Sequence, residues 1–183
     1  MTSGGFTLFD TPIGTCGIAW TSHGLCGVQL PEPDPETALA RLARRFPALT
    51  PGAADEVGAV IALVNAHLGG EPVDYGTVKL DFDGIHAFER AVYAAARGIP
   101  FGETRTYGAV AAQLGEPQGA QAVGQALGRN PWPIIVPCHR ITAADGRTGG
   151  FSAAGGVVTK LKLLEIEGAL AVERLPLFAT PDS

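Results

Sequence analysis

The sequence predicts two parts: an α/β N-terminal domain built on a small antiparallel sheet with helices, then a mainly α domain with a helix-turn-helix. Three observations predict this. Short apolar-rich runs punctuated by Gly, Pro and Ser fill the first thirty residues. From Glu36 apolar residues recur at helical spacing. Beyond His86, two short helical stretches flank the turn Gly115-Glu116-Pro117-Gln118.

Taken in order, residues 6–10, 17–20 and 27–30 read as strands, and Pro31, Pro33 and Pro35 end that pattern. Leu39, Leu42 and Ala43 share one face of a helix, with Arg41, Arg44 and Arg45 on others. A second helix is predicted over 56–68, stopping at Gly69-Gly70, and a strand over 78–80. Asp81-Phe82-Asp83-Gly84 marks a boundary, giving domains 1–84 and 85–176 and a flexible tail, 177–183. Phe88, Val92 and Ala95 line a helix that ends at Gly98-Ile99-Pro100. The paired short helices cover 108–114 and 120–127, and a last helix runs over 157–167.

The charge is uneven. Residues 1–85 hold 4 basic and 10 acidic side chains, whereas residues 86–168 hold 8 and 6. The net charge of −5 disfavours nucleic acid for the chain as a whole. A local basic face can still bind phosphate, because salt screens charges beyond about 10 Å. No apolar run reaches membrane-spanning length, and the start has no basic-then-apolar leader, so no membrane partner and a cytoplasmic location are expected. Three cysteines at irregular spacing make no disulfide framework.

Only Cys138 sits in a context that suggests chemistry. The apolar run Ile134-Ile135-Val136 delivers Pro137-Cys138-His139-Arg140, placing a thiol beside an imidazole just after a buried segment. A free cysteine is mostly thiol at neutral pH, so a nucleophile needs a base. Neighbours in sequence do not face each other, so His139 is expected to act through a bridging water. A carboxylate, Glu165 or Glu167, is expected to orient the imidazole. A short helix starting near Pro137 is expected to favour an ionised sulfur. The other reading of these residues is a buried structural cysteine.

Residues 130–140, Asn-Pro-Trp-Pro-Ile-Ile-Val-Pro-Cys-His-Arg, resemble the active-site segment of the O6-alkylguanine-DNA alkyltransferases. The resemblance extends through Phe101-Gly102-Glu103-Thr104-Arg105-Thr106-Tyr107-Gly108, Ala122-Val123-Gly124, Thr148-Gly149-Gly150-Phe151-Ser152 and residues 160–168. It implies irreversible, single-turnover transfer of an alkyl group from O6-alkylguanine, with O4-alkylthymine as a secondary substrate, to Cys138. The implied partner is alkylated double-stranded DNA, approached through the minor groove by a monomer without a cofactor. The damaged nucleotide must be rotated out of the stack. His139 is then the base, Glu167 its orienter, Asn130 the brace of the cysteine turn, and Tyr107 a donor to the leaving base. Phe101, Leu127, Pro133 and Phe151 are implied pocket walls. Ile141 and the Cys138 backbone read the guanine edge, and Ser152 lies near O6. Thr106, Tyr107, Gln121, Ala122, Gly124, Arg129 and Arg105 are implied DNA contacts.

Two residues depart from the family pattern. Gln121 stands where an arginine usually fills the vacated stack, and it lacks the planar charge suited to that task. This supports an alternative in which the alkyl transfer serves a substrate other than duplex DNA, or in which lesion binding is accompanied by weak repair. Phe151 replaces a tyrosine. Some relatives carry a structural zinc in the first half, but Cys16, His23 and Cys26 lack tight Cys-x-x-Cys spacing, and a fourth ligand would be distant His67 or His86, so no metal is expected.

Overall fold

The computed structural model describes residues 4–145 and 156–169. Three strands, β1 (Gly4–Thr11), β2 (Gly14–Thr21) and β3 (Gly24–Gln29), form an antiparallel meander. Gly14 closes the first hairpin at φ 124°, a region that side chains with a Cβ disfavour. Helix α1 (Pro35–Arg45) starts where Asp34 accepts from the Thr37 N–H at 2.7 Å and Pro35 presets the first turn. It buries Ala38 and Leu42 against the sheet. The approach is close enough that a Cβ at Gly17 would fall 2.6 Å from Leu42 Cδ1.

The sheet differs from the predicted one in being mixed. A two-residue strand, β4 (Thr50–Pro51), joins β1 in parallel and gives the order β3-β2-β1-β4. The strand predicted over 78–80 is a single bridge, Leu25 to Leu80. The chain turns away at Asp81, whose carboxylate accepts from Thr21 Oγ1 at 2.5 Å and from the Asp83 N–H at 3.0 Å. Asp81 and Asp83 thus build a turn. The predicted 56–68 helix opens as a 3₁₀ segment, Ala54–Val57, and becomes α2 only over Gly58–Leu68.

In the second half, α3 (Ala87–Arg97) is followed by β5 (Arg105–Thr106), α4 (Tyr107–Gln113) and α5 (Ala120–Gly128). α4 and α5 are the helix pair read from sequence, meeting through Val110, Ala111, Val123 and Ala126. Tyr93 Oη–H donates to the Ala126 carbonyl at 2.8 Å and fixes α5 on α3. β5 pairs in parallel with β6 (Ile141–Thr142), a contact with no signature in the sequence. It ties the start of α4 to the chain just past Cys138. The last helix is α6 (Gly156–Ile166).

The two halves share one buried apolar cluster running from Phe9 to Leu163. Polar bonds reinforce it at the segment leading to Cys138. The Val28 N–H and Arg45 both donate to the Pro131 carbonyl, at 2.9 and 3.0 Å, and Trp132 Nε1–H donates to the Leu25 carbonyl at 2.7 Å. The sheet of the first half therefore braces the loop that presents the cysteine.

Candidate active site around Cys138

The cysteine sits on a strained, heavily bonded turn. Asn130 bridges it, accepting from the Trp132 N–H and donating to the Val136 carbonyl, each at 2.9 Å. Between them Ile134 adopts φ 77°, an unfavourable conformation for a β-branched residue, costing on the order of 1–3 kcal/mol. The surrounding bonds and full burial of Trp132, Ile134 and Val136 hold it there. The expected helix at Pro137 is a three-residue 3₁₀ turn, Cys138–Arg140, too short to gather a helix dipole.

That turn does not deliver an ionised sulfur at rest. Cys138 is 7% exposed, and burial pushes its thiol above the usual range. Opposing this are a hydrogen bond from Asn130, the charge of Lys160 and the N–H groups of Cys138 and His139. Burial thus works against the ionised sulfur that a helix start near Pro137 was expected to favour. Its ionisation must then be coupled to a nearby base. His139 is fully buried; burial holds its imidazole below the ordinary value, as do Arg140 and His67, against the pull of Glu167. It is neutral at neutral pH.

Glu167 organises everything behind that imidazole. Its Oε1 accepts from His139 Nε2 and His67 Nε2, both at 2.7 Å, and from Arg140 Nη2 at 2.8 Å. Arg140 Nε also reaches Oε2 at 2.9 Å, and the Gly102 N–H approaches the same oxygen at 3.4 Å. Burial alone would raise this carboxyl, but the bonds from His139, His67 and Arg140 outweigh it and hold it well below the carboxylate range. A carboxylate can only accept, so His139 carries its proton on Nε2. His139 Nδ1 is then a lone pair, buried and without a partner among the described residues. Glu165, the other carboxylate considered, is exposed.

Lys160, Arg140 and Tyr75 enter the site without an assigned role, as does His67, considered above only as a distant zinc ligand. Lys160 was legible: Lys160, Leu163, Leu164 and Glu167 fall at i, i+3, i+4 and i+7, so one helical stripe buries both polar ends. Its Nζ donates to the Ile141 carbonyl at 2.7 Å and lies 5.7 Å from the Tyr107 ring centre. Burial brings this ammonium down to about 8, partly countered by Cys138. Replacing Lys160 with methionine should raise the Cys138 thiol further and slow its reaction with iodoacetamide at pH 7.5 roughly tenfold. An unchanged rate would remove Lys160 from the site's electrostatics.

Residues 87–169 match the family of the 6-O-methylguanine DNA methyltransferase, DNA binding domain. The chain is 38% identical over 173 residues to the methylated-DNA–protein-cysteine methyltransferase of Mycobacterium tuberculosis, covering 94% of this chain and 98% of that one. This chain belongs to the methylated-DNA–protein-cysteine methyltransferase family. A crystal structure of the M. tuberculosis OGT protein in complex with DNA aligns with TM-score 0.71 at 37% identity, over 88% of this chain and 92% of that one. An O6-methylguanine-DNA methyltransferase from Pyrococcus kodakaraensis aligns with TM-score 0.68 at 28% identity, over 92% and 99%.

Other residues expected from the methyltransferase resemblance fall into three groups. Cys138, His139, Asn130, Glu167 and Tyr107 converge, and burial together with Cys138 pushes the Tyr107 phenol up. Gly124 leaves room for Tyr107, whose ring lies 3.8 Å from where a Cβ would sit. Leu127, Pro133 and Ile141 are buried around this centre, while Phe101 packs on His67 and Arg140, with centroid distances of 5.4 and 5.9 Å. Gln121 and Ala122 are exposed on α5. Thr106 caps α4 by accepting from the Ala109 N–H at 3.0 Å. Arg105 and Arg129 are engaged by Glu103 at 3.2 Å and Glu89 at 2.6 Å. Phe151 and Ser152 lie outside the described residues.

Among the described residues neither Cys16 nor Cys26 joins a group of three metal-ligating side chains. His67, His139 and Glu167 do cluster, but Arg140 already occupies the same carboxylate oxygen, which opposes a cation there.

Proposed function

We propose that this chain repairs DNA by moving the alkyl group of O6-alkylguanine irreversibly onto Cys138, once per molecule. The observation that carries the reading is His139 Nδ1, a buried base without a partner among the described residues, on a ring fixed by Glu167 and next in sequence to a thiol that needs one. The damaged nucleotide is extruded into the site from the minor groove, with α4 and α5 against the DNA. The Cys138 proton passes through a bridging water to His139 Nδ1, and the sulfur attacks the alkyl carbon. The carbon–oxygen bond breaks, its electron pair returns to the purine, and the purine takes up a proton to become guanine. Tyr107 donates toward the purine as charge develops. The net proton transfer runs from thiol to guanine, so no cofactor is consumed. The product is a thioether, which has no easy way back, so each molecule acts once. We infer that it acts as a monomer in the cytoplasm.

The test is stoichiometry. Duplex O6-methylguanine oligonucleotide, radiolabelled in the methyl group, should label the protein to one methyl per molecule and then stop. Continued turnover by a small molar amount of protein would contradict the reading.

A second reading, transfer from a substrate other than duplex DNA, rests on the exposed face of α5. Gln121, Ala122 and Gln125 carry no charge there, and Arg105 and Arg129 are tied to carboxylates. Gln121→Arg should speed repair of duplex several-fold and leave single-stranded substrate unchanged. An equal rate on duplex would favour the second reading.

A further inference from the structure

The repair reading leaves one buried polar pair unused: His67, from α2 in the first half, and Tyr75, in the loop beyond it. His67 shares Glu167 Oε1 with His139 at the same distance, 2.7 Å, and its Nδ1 meets Tyr75 Oη at 2.9 Å. The two imidazole centres are 6.1 Å apart, and His67 is fully buried. A surface ion pair would not be built this way.

Resting on the repair reading, we propose that His67, held by Tyr75, is a positioning residue for alkyl transfer, keeping His139 a free base through their common carboxylate. The hydrogen-bond inventory supports it. Glu167 Oε1 only accepts, so His67 Nε2 and His139 Nε2 both carry protons. Tyr75 Oη–H then donates to His67 Nδ1, which fixes the His67 tautomer and leaves it one N–H to give to Glu167. That N–H, with Arg140, takes up lone pairs and charge that would otherwise bind a protonated His139 more tightly. His67 thereby keeps His139 from being protonated too early, while Glu167 still steadies the imidazolium formed when the thiol gives up its proton.

The groups facing the His139–Glu167 pair are Cys138 and Arg140 on the 3₁₀ turn, His67 on α2, Tyr75 beyond it, and Lys160 on α6, which acts on Cys138. Of these, His67 and Tyr75 can be changed without removing the nucleophile, the arginine charge or the thiol's cationic neighbour, and His67 alone of the two touches Glu167. This is why the first half of the chain contributes to the reaction and does more than brace the loop.

The test is the pH dependence of single-turnover methyl transfer from O6-methylguanine DNA. His67→Phe keeps the volume and removes the donor. Its acid limb should move up by about one pH unit, with transfer at pH 6 roughly tenfold slower than wild type. His67→Gln, which retains an N–H at about the Nε2 position, should restore most of the rate and return the limb toward wild type. Tyr75→Phe should give an intermediate shift. A structural role alone would lower the rate at every pH without moving the limb, and that outcome overturns the proposal. Imidazole nitrogen NMR of the wild-type protein supplies a readout independent of variant folding. Nε2–H signals from both His67 and His139 support the proposal, and an Nδ1–H signal from His67 contradicts it. Failure of wild type to accept methyl would instead sink the repair reading itself.

Discussion

Glu167→Ala is expected to cost about 3–5 kcal/mol of folding stability, because it strands Arg140 as a buried charge without its partner. The same change removes the acceptor of His67 and His139 Nε2 protons, which lie at 2.7 Å in the native site. It also loosens the end of α6 from the turn carrying the cysteine, leaving the Lys160–Ile141 bond to hold them. Urea unfolding of wild type and variant measures the cost; a difference below about 1 kcal/mol would mean that the network contributes little. Glu167→Gln should fall between, since an amide accepts on only one side. The acid response follows from the same groups. His139 is held below its ordinary 6.5, so the unfolded chain binds a proton first and stability declines as pH falls below about 6.5. Glu167 is held well below its ordinary 4.5, so its contribution is present above that value and is lost on further acidification. Lys160 acts with the same sign at the other end. Its folded value of about 8 lies under the ordinary 10.5, so stability rises with pH between those values.

Cys138→Ala is expected to reduce alkyl transfer by about a thousandfold or more, with overall folding preserved. No other sulfur can substitute. Burial pushes the Cys16 and Cys26 thiols up to about 11. Cys138→Ser should be nearly as inactive, since a hydroxyl in this pocket is harder still to ionise. Damaged DNA should still bind the alanine variant, because the α4–α5 surface is untouched. Residual transfer above one per cent of wild type would place the acceptor elsewhere.

The sequence disclosed the second half better than the first for physical reasons. Helices 87–97, 107–113 and 120–128 show in apolar periodicity because each buries one stripe. The sheet's mixed character did not show: β4 has two residues, one a proline, and no alternation can appear in so short a run. β5 and β6 are hidden for the same reason. In the site, Cys138, His139 and Asn130 were readable because they lie close in sequence. From the residues alone Glu167 was one of two glutamates, the resemblance picked it out, and helix phase agrees: Glu165 falls on the solvent face. His67 could not be found, since it meets Glu167 across 100 residues through tertiary packing. The burial of the Cys138 sulfur was not legible, because motif context does not report desolvation.

The central claim is that one buried sulfur receives the alkyl group. Peptide mass spectrometry after reaction with excess O6-methylguanine duplex tests it most directly. The account predicts a single methyl group on the peptide containing Cys138 in every reacted molecule, with Cys16 and Cys26 unmodified. A methyl group on any other residue, or loss of the lesion with unmodified protein, would contradict it.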